Sequence, residues 1–133
     1  MIIENIEEAI ASNVFYRAYW AKTESHVMLV IDEHHVVHIG LNRLMKTYIK
    51  TKVFRDKYLL AGSRLELYKR TTLNMKILPV DIEASKPPFF SSREEAIDYL
   101  TRLLLDEMIE IKRKLEIYPK IIDSLKGLIK NGQ

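Results

Sequence analysis

Apolar and polar residues follow two different periods along this chain, one typical of helices and one typical of strands. Near the N-terminus, Ile3, Ile6 and Ile10 recur at the spacing of one helix face, which predicts a short amphipathic helix. Aromatic and β-branched residues then gather in short runs separated by polar residues at 22–25 and 32–34, a composition typical of strands joined by turns. These runs predict a three-stranded antiparallel meander over residues 14–20, 26–31 and 36–39.

The segment from residue 42 to residue 60 fits both the helix period and the strand period. Met45, Ile49 and Val53 recur every four residues and Asn42 is a suitable N-cap, so a helix over 42–60 is our main prediction. The competing interpretation is a strand, because residues 47–54 are rich in β-branched and aromatic side chains and alternate over part of their length.

Apolar and polar residues alternate more regularly in residues 64–70 and 73–80. This alternation predicts a β-hairpin whose turn is formed by Thr71 and Thr72. Two consecutive prolines at 87–88 then indicate an extended linker, because the residue before a proline is disfavoured in the helical region.

The last forty residues have the pattern of a long helix. Ser92 and Glu95 match a capping box, which places the start of the helix at residue 92. Pro119 lacks the amide hydrogen that would bond to the carbonyl of Leu115, so a kink or a break is expected there. An apolar seam with alternating spacings of four and three residues runs through Leu104, Met108, Ile111, Leu115, Tyr118, Ile122, Leu125 and Ile129.

The predicted fold class is α+β. A small antiparallel sheet, made of the meander and the hairpin, packs with a central helix and with a long C-terminal helical segment kinked or broken near Pro119. The chain has 133 residues, of which 47% are hydrophobic, and this size and composition suit one domain. Its expected parts are a mixed helix and sheet region over 1–86, a linker over 87–91 and helices over 92–131.

Several classes of function are excluded by residues that the sequence lacks. There is no cysteine, so disulfides, thiolate catalysis and cysteine-ligated metals are excluded. The chain has no P-loop and no other glycine-rich phosphate motif, and no cofactor is expected. The longest apolar run, from Val27 to Ile31, is far shorter than the roughly 20 residues that cross a membrane. We therefore expect a cytoplasmic protein that does not bind membranes.

Positive charge is concentrated in the middle of the chain. Residues 41–76 hold ten of the 21 basic residues and two of the 18 acidic ones. Such a segment attracts phosphate or an acidic protein surface, and Tyr48, Tyr58 and Tyr68 could stack on bases. The main functional prediction is therefore a non-enzymatic binding or regulatory protein. Its polyanion-binding residues would be Arg43, Lys46, Lys50, Lys57, Arg64, Lys69, Arg70 and Lys76.

The histidines support an alternative prediction. His34, His35 and His38 could serve acid–base chemistry in a small ribonuclease, with Arg43 on the scissile phosphate. In a strand, His34 and His38 would stand on one face about 13 Å apart, too far to share a metal ion, so no metal site is predicted.

The heptad seam supports a third prediction, a homodimeric adaptor or inhibitor that acts through its C-terminal helices. The expected partners are thus an acidic nucleic acid or protein and, through the seam from Leu104 to Ile129, a second copy of the chain.

Overall fold

The computed structural model describes residues 1–22 and 26–130. Residues 23–25 of the first predicted turn and Asn131 of the predicted C-terminal helices lie outside these ranges. The architecture is α+β, as predicted. In chain order the elements are β1 Ile2–Ile3, α1 Ile6–Ser12, β2 Val14–Lys22, β3 Val27–Leu41, β4 Thr47–Ala61, β5 Arg64–Ile77, α2 Pro79–Glu83, β6 Phe89–Phe90 and α3 Arg93–Lys130.

The six strands form a single antiparallel sheet in the order β1-β6-β2-β3-β4-β5. Phe89 and Phe90, inside the predicted linker, pair with β1, and Phe90 also pairs with Tyr16 of β2. The chain forms two compact units, one comprising Met1–Leu100 and the other beginning at Thr101 within α3.

Each face of the sheet in the first unit contributes to a separate hydrophobic core, because alternate side chains of a strand point to opposite faces. On one face, Phe15 and Ile49 pack with Ile6 of α1 and Ile82 of α2. On the other face, the core contains the first turns of α3. Its buried members are Ala18, Leu29, Ile31, Phe90, Ala96 and Leu100.

The central helix predicted over 42–60 is wrong, since residues 47–61 form strand β4. The competing strand interpretation of residues 47–54 is the correct one. Ile49, Thr51 and Val53 are completely buried between β3 and β5, whereas Lys50 and Lys52 are exposed. Burial of these alternate side chains in a strand with two neighbours favours β-structure more than the four-residue spacing favours a helix. Asn42 caps a tight turn instead of a helix, because its side-chain oxygen accepts hydrogen bonds from the amides of Leu44 and Lys46, each at 2.9 Å.

Two predicted turns are also wrong. The polar residues 32–34 lie inside β3, which is continuous from Val27 to Leu41, so the second and third strands of the meander are one strand. Thr71 and Thr72 lie inside β5 opposite Arg55 and Phe54, so the predicted hairpin is a single strand. Asp32 and His34 are tolerated in β3 because Arg55 and Thr51 of β4 supply their hydrogen-bond partners. The two threonines of β5 are β-branched and suit a strand.

The helix start at Ser92 is confirmed, since the amide of Glu95 donates to the Ser92 hydroxyl oxygen at 3.2 Å. Helix α3 continues through Pro119, so the predicted break is wrong, and a kink at this residue stays a prediction. No helix within the described ranges combines the length and the apolar character needed to span a membrane.

Candidate nucleic-acid interface

Strands β4 and β5 present a group of lysines on one face of the sheet, beside His38 of β3. Lys50 of β4 lies directly opposite Lys76 of β5, and Lys52 lies opposite Asn74, so these four side chains share that face. All four are exposed. Across residues 1–22 and 26–130, none of the three lysines forms an ion pair. We call this surface the basic face, and it comprises His38, Tyr48, Lys50, Lys52, Asn74 and Lys76.

The aromatic ring of Tyr48 lies at one end of the basic face. Tyr48 is paired with Gly40 of β3, and a Cβ atom at residue 40 would stand 2.6 Å from Cζ of the tyrosine. Glycine therefore leaves the room that the ring occupies. The Nζ atom of Lys76 lies 4.5 Å from the ring centroid, within range of a cation–π interaction, and the His38 ring lies 5.9 Å away.

A β-bulge in β3 places His34 and His38 on opposite faces of the sheet. The register of β3 against β4 shifts between Val36 and His38, so His38 lies opposite Lys50 on the basic face. His34, before the bulge, points to the other face and is completely buried. The sequence placed His34 and His38 on the same face because it gave no sign of the bulge.

Burial makes His34 unsuited to acid–base chemistry at neutral pH. Its ring stacks on Phe15 with a centroid distance of 5.0 Å, and Nδ1 lies 3.0 Å from the Thr51 hydroxyl oxygen. Burial lowers the pKa of His34 to about 4, against a smaller opposing effect of the Asp32 carboxylate. The imidazole is therefore neutral at pH 7.

A cleft of about 570 Å³ lies next to the lysines on the same face of the sheet, lined in part by Glu33, His35 and Phe54. Its charged groups are largely paired with one another. Arg70 donates two hydrogen bonds to Asp56, at 2.6 and 3.0 Å, and these bonds raise the pKa of the guanidinium. The charge of Arg70 is thus offset locally. The other polar contacts are His35 Nε2 to Glu33 Oε2 at 2.8 Å and Arg93 Nη2, which donates to the Tyr58 hydroxyl oxygen at 2.8 Å.

The predicted polyanion-binding residues do not lie on one surface, because the sheet places them on both of its faces and in a turn. Lys50 and Lys76 come together, and Arg70 lies farther along their face in the cleft. Lys57 and Lys69 also form a cross-strand pair, but seven residues from Lys50 and Lys76, and this odd number places them on the opposite face. The remaining residues are Arg43 and Lys46 in the β3–β4 turn and Arg64 at the start of β5.

Sequence reasoning missed Lys52 and Asn74. The signal was present, because lysines at 50 and 52 share a face in a strand, but the helix interpretation of residues 42–60 separated them. The same interpretation missed Gly40 as the residue that leaves room for Tyr48.

The opposite face holds a second polar group that the sequence did not indicate. Asp32 is completely buried and accepts two hydrogen bonds from Arg55, which raise the pKa of the guanidinium. Burial and the Asp32 carboxylate raise the pKa of Tyr19. Arg17 lies opposite Asp32 on β2 and donates to the Ser85 hydroxyl oxygen at 3.0 Å. This group stabilises the core of the first unit.

No three histidine or acidic side chains among residues 1–22 and 26–130 are placed to hold a metal ion together. No protein-family model matches the chain, and comparisons with curated proteins and with solved structures give no significant match. The residues themselves therefore carry the argument about function.

Proposed function

We propose that this chain is a non-enzymatic binding protein that holds single-stranded nucleic acid on the basic face. The supporting observation is the combination of three exposed lysines without ion pairs and an aromatic ring beside them. Lysines attract the phosphate backbone, and an accessible ring stacks on an unpaired base. Lys50, Lys52, Lys76 and Tyr48 are the residues assigned these roles.

The form of the surface favours a single strand over a duplex. The lysines lie on β5 and on β4, which pairs with both β3 and β5, so they stand on a surface of at least three strands. This surface is wider than the α-helix or two-stranded ribbon that a major groove admits. An unpaired base, in contrast, exposes the flat face that Tyr48 can contact.

The ribonuclease alternative has less support, because His34 is buried and lies on the opposite face from His38. His38 and Arg43 are both exposed, so cleavage remains an outcome that the binding experiment must check. The cytoplasmic location expected from the sequence remains a prediction.

The experiment is fluorescence anisotropy of labelled single-stranded RNA and DNA titrated with the full chain at two salt concentrations. Three lysine–phosphate contacts give a salt slope of about −2, so affinity should fall about 20-fold between 50 and 200 mM salt. Gel analysis of the label afterwards checks for cleavage. No binding at 50 mM salt would contradict the proposal and direct attention to an acidic protein partner.

Two matched double variants test whether the face matters or only the net charge. Lys50→Glu with Lys76→Glu reverses the cross-strand pair on the basic face, and Lys57→Glu with Lys69→Glu reverses the equivalent pair on the opposite face. Both change the net charge by the same amount on the same two strands. We expect the first variant to abolish measurable binding and the second to retain most of it, and equal losses would contradict the proposal.

A further inference from the structure

The second unit is a helical segment whose apolar side chains are largely exposed. From Thr101 onward, Met108 is 65% exposed, Leu115 is 69% exposed and Ile129 is 76% exposed. Exposed apolar area of this extent is unfavourable in water and usually marks an interaction surface. The other large apolar residues that are exposed are Leu103, Leu105, Ile109, Ile111, Ile117, Tyr118, Ile121, Ile122, Leu125 and Leu128.

The arrangement of these residues identifies the kind of partner. In a heptad lettered a to g, Met108, Leu115, Ile122 and Ile129 occupy position a, and Leu104, Ile111, Tyr118 and Leu125 occupy position d. The seam extends from Leu104 to Ile129, about 38 Å at the rise of an α-helix. Position f, farthest from the seam, holds Asp106, Arg113, Lys120 and Gly127. A seam of this kind is buried by another helix with the same repeat. A second copy of this chain would supply such a helix.

Charge complementarity indicates how two copies would align. In a parallel, in-register pair, position g of one helix faces position e of the next heptad on the other helix, so Glu107 would face Lys112 of a second copy. By symmetry this contact occurs twice. The a and d residues of the last heptads, Ile122, Leu125 and Ile129, also follow the β-branched and leucine preference of parallel two-stranded coils.

Antiparallel alignments are less favourable. If Leu115 of one copy packs against Ile111 of the other, Lys112 faces its own equivalent and so does Lys114, which places like charges together. If Leu115 instead packs against Tyr118, the Glu107–Lys112 contact is lost and Lys114 faces Ile121.

We propose that α3 between Leu104 and Ile129 pairs with the same segment of a second copy of this chain as a parallel, in-register, two-stranded coiled coil. This pairing involves only the second unit and is independent of the proposed nucleic-acid binding.

Sedimentation equilibrium of the full chain tests the stoichiometry. The expected mass is twice the 15.6 kDa of one chain. Leu115→Glu with Ile122→Glu places charges in the seam and should give a monomer. Because both side chains are exposed within one chain, far-ultraviolet circular dichroism should show that the strands of the first unit are retained.

The matched control is Ser124→Glu with Gly127→Glu. It introduces the same two charges at positions c and f, and residue 127 has open space around it. This control should remain a dimer. A monomeric wild-type chain, a trimer or larger assembly, or equal effects of the two variants would overturn the proposal.

A single introduced cysteine tests the orientation, since the chain has none of its own. In the parallel alignment, Ile122→Cys places the two thiols next to each other across the seam, and mild oxidation should link the chains covalently. In the antiparallel alignments the two residues would stand about 16 Å or more apart along the axis, so no disulfide could form. A dimeric Ile122→Cys protein that fails to crosslink would overturn the parallel alignment.

Discussion

Asp32 and Arg55 lie directly opposite one another on β3 and β4, and the guanidinium donates two hydrogen bonds to the carboxylate, at 2.8 and 2.9 Å. The carboxylate is completely buried, whereas the arginine side chain keeps 25% of its exposure. A buried carboxylate that loses its partner retains the cost of desolvation without the compensating interaction. The fold of the first unit therefore depends on this pair.

A comparison of two arginines tests this dependence. Arg55→Ala should lower the free energy of unfolding by about 3 kcal/mol or more, because Asp32 would remain buried and lose both hydrogen bonds. Arg70→Ala removes a pair of similar geometry with Asp56, but the Arg70 side chain is 62% exposed. Its loss should lower the free energy of unfolding far less, because solvent screens an ion pair at the surface. Urea denaturation of both variants measures the difference, and similar losses would contradict the argument.

His34 should make the stability of the fold depend on pH. The buried ring has a pKa lowered to about 4 in the folded chain, whereas an unfolded histidine titrates near 6.5. Between these values the unfolded state binds a proton that the folded state excludes. Stability is therefore fully present above the unfolded pKa and falls as the pH drops from about 6.5 towards 4, by about 3 kcal/mol in total.

Urea denaturation at several pH values between 7 and 4.5 measures this effect. His34→Phe keeps an aromatic ring against Phe15 but cannot bind a proton, so its stability should vary less with pH than that of the wild type. The matched control is His38→Phe, which removes an exposed histidine and should retain the wild-type dependence. Identical pH profiles for the wild type and His34→Phe would refute the role assigned to burial.

The α+β class and the helix start at Ser92 were predictable from the sequence because both depend on local signals. The capping box needs only residues three apart. The continuity of β3 was not predictable, since Asp32 and His34 resemble turn residues until their partners are known. Those partners are Arg55 and Thr51, which are 23 and 17 residues away.

The candidate site was predictable only in composition. The sequence shows that residues 41–76 are basic, but the grouping of Lys50 with Lys76 depends on the register of β4 against β5. The separation of His38 from His34 depends on a bulge at residues 36–38, which produces no regular change in polarity. Four-residue spacing in 45–53 favoured a helix because burial by two neighbouring strands is a tertiary effect that local periodicity does not report.

The close approach of Tyr48 to Gly40 gives a third test, which rests on the proposed nucleic-acid binding. In Gly40→Ala, the new Cβ would meet the outer ring atoms of Tyr48 at 2.6 to 2.8 Å, so the ring must move. These atoms are at the free end of a side chain, so the free energy of unfolding should change by about 1 kcal/mol or less. Affinity for single-stranded RNA should fall about fivefold, because stacking on one ring is worth about 1–3 kcal/mol and a displaced ring loses part of that.

A double-mutant cycle separates the displaced ring from any other effect of the methyl group. Tyr48→Ala removes the ring and should weaken binding by at least as much as Gly40→Ala. If residue 40 acts only through the ring, adding Gly40→Ala to Tyr48→Ala should cause no further loss, so the two effects are non-additive.

The control for the added methyl group is Gly127→Ala, which introduces a methyl group into open space in α3 and should leave the affinity unchanged. Anisotropy titrations of the four proteins at one salt concentration measure the cycle. Additive losses would show that residue 40 influences binding independently of Tyr48. An unchanged affinity in Tyr48→Ala would remove the ring from the proposed binding surface.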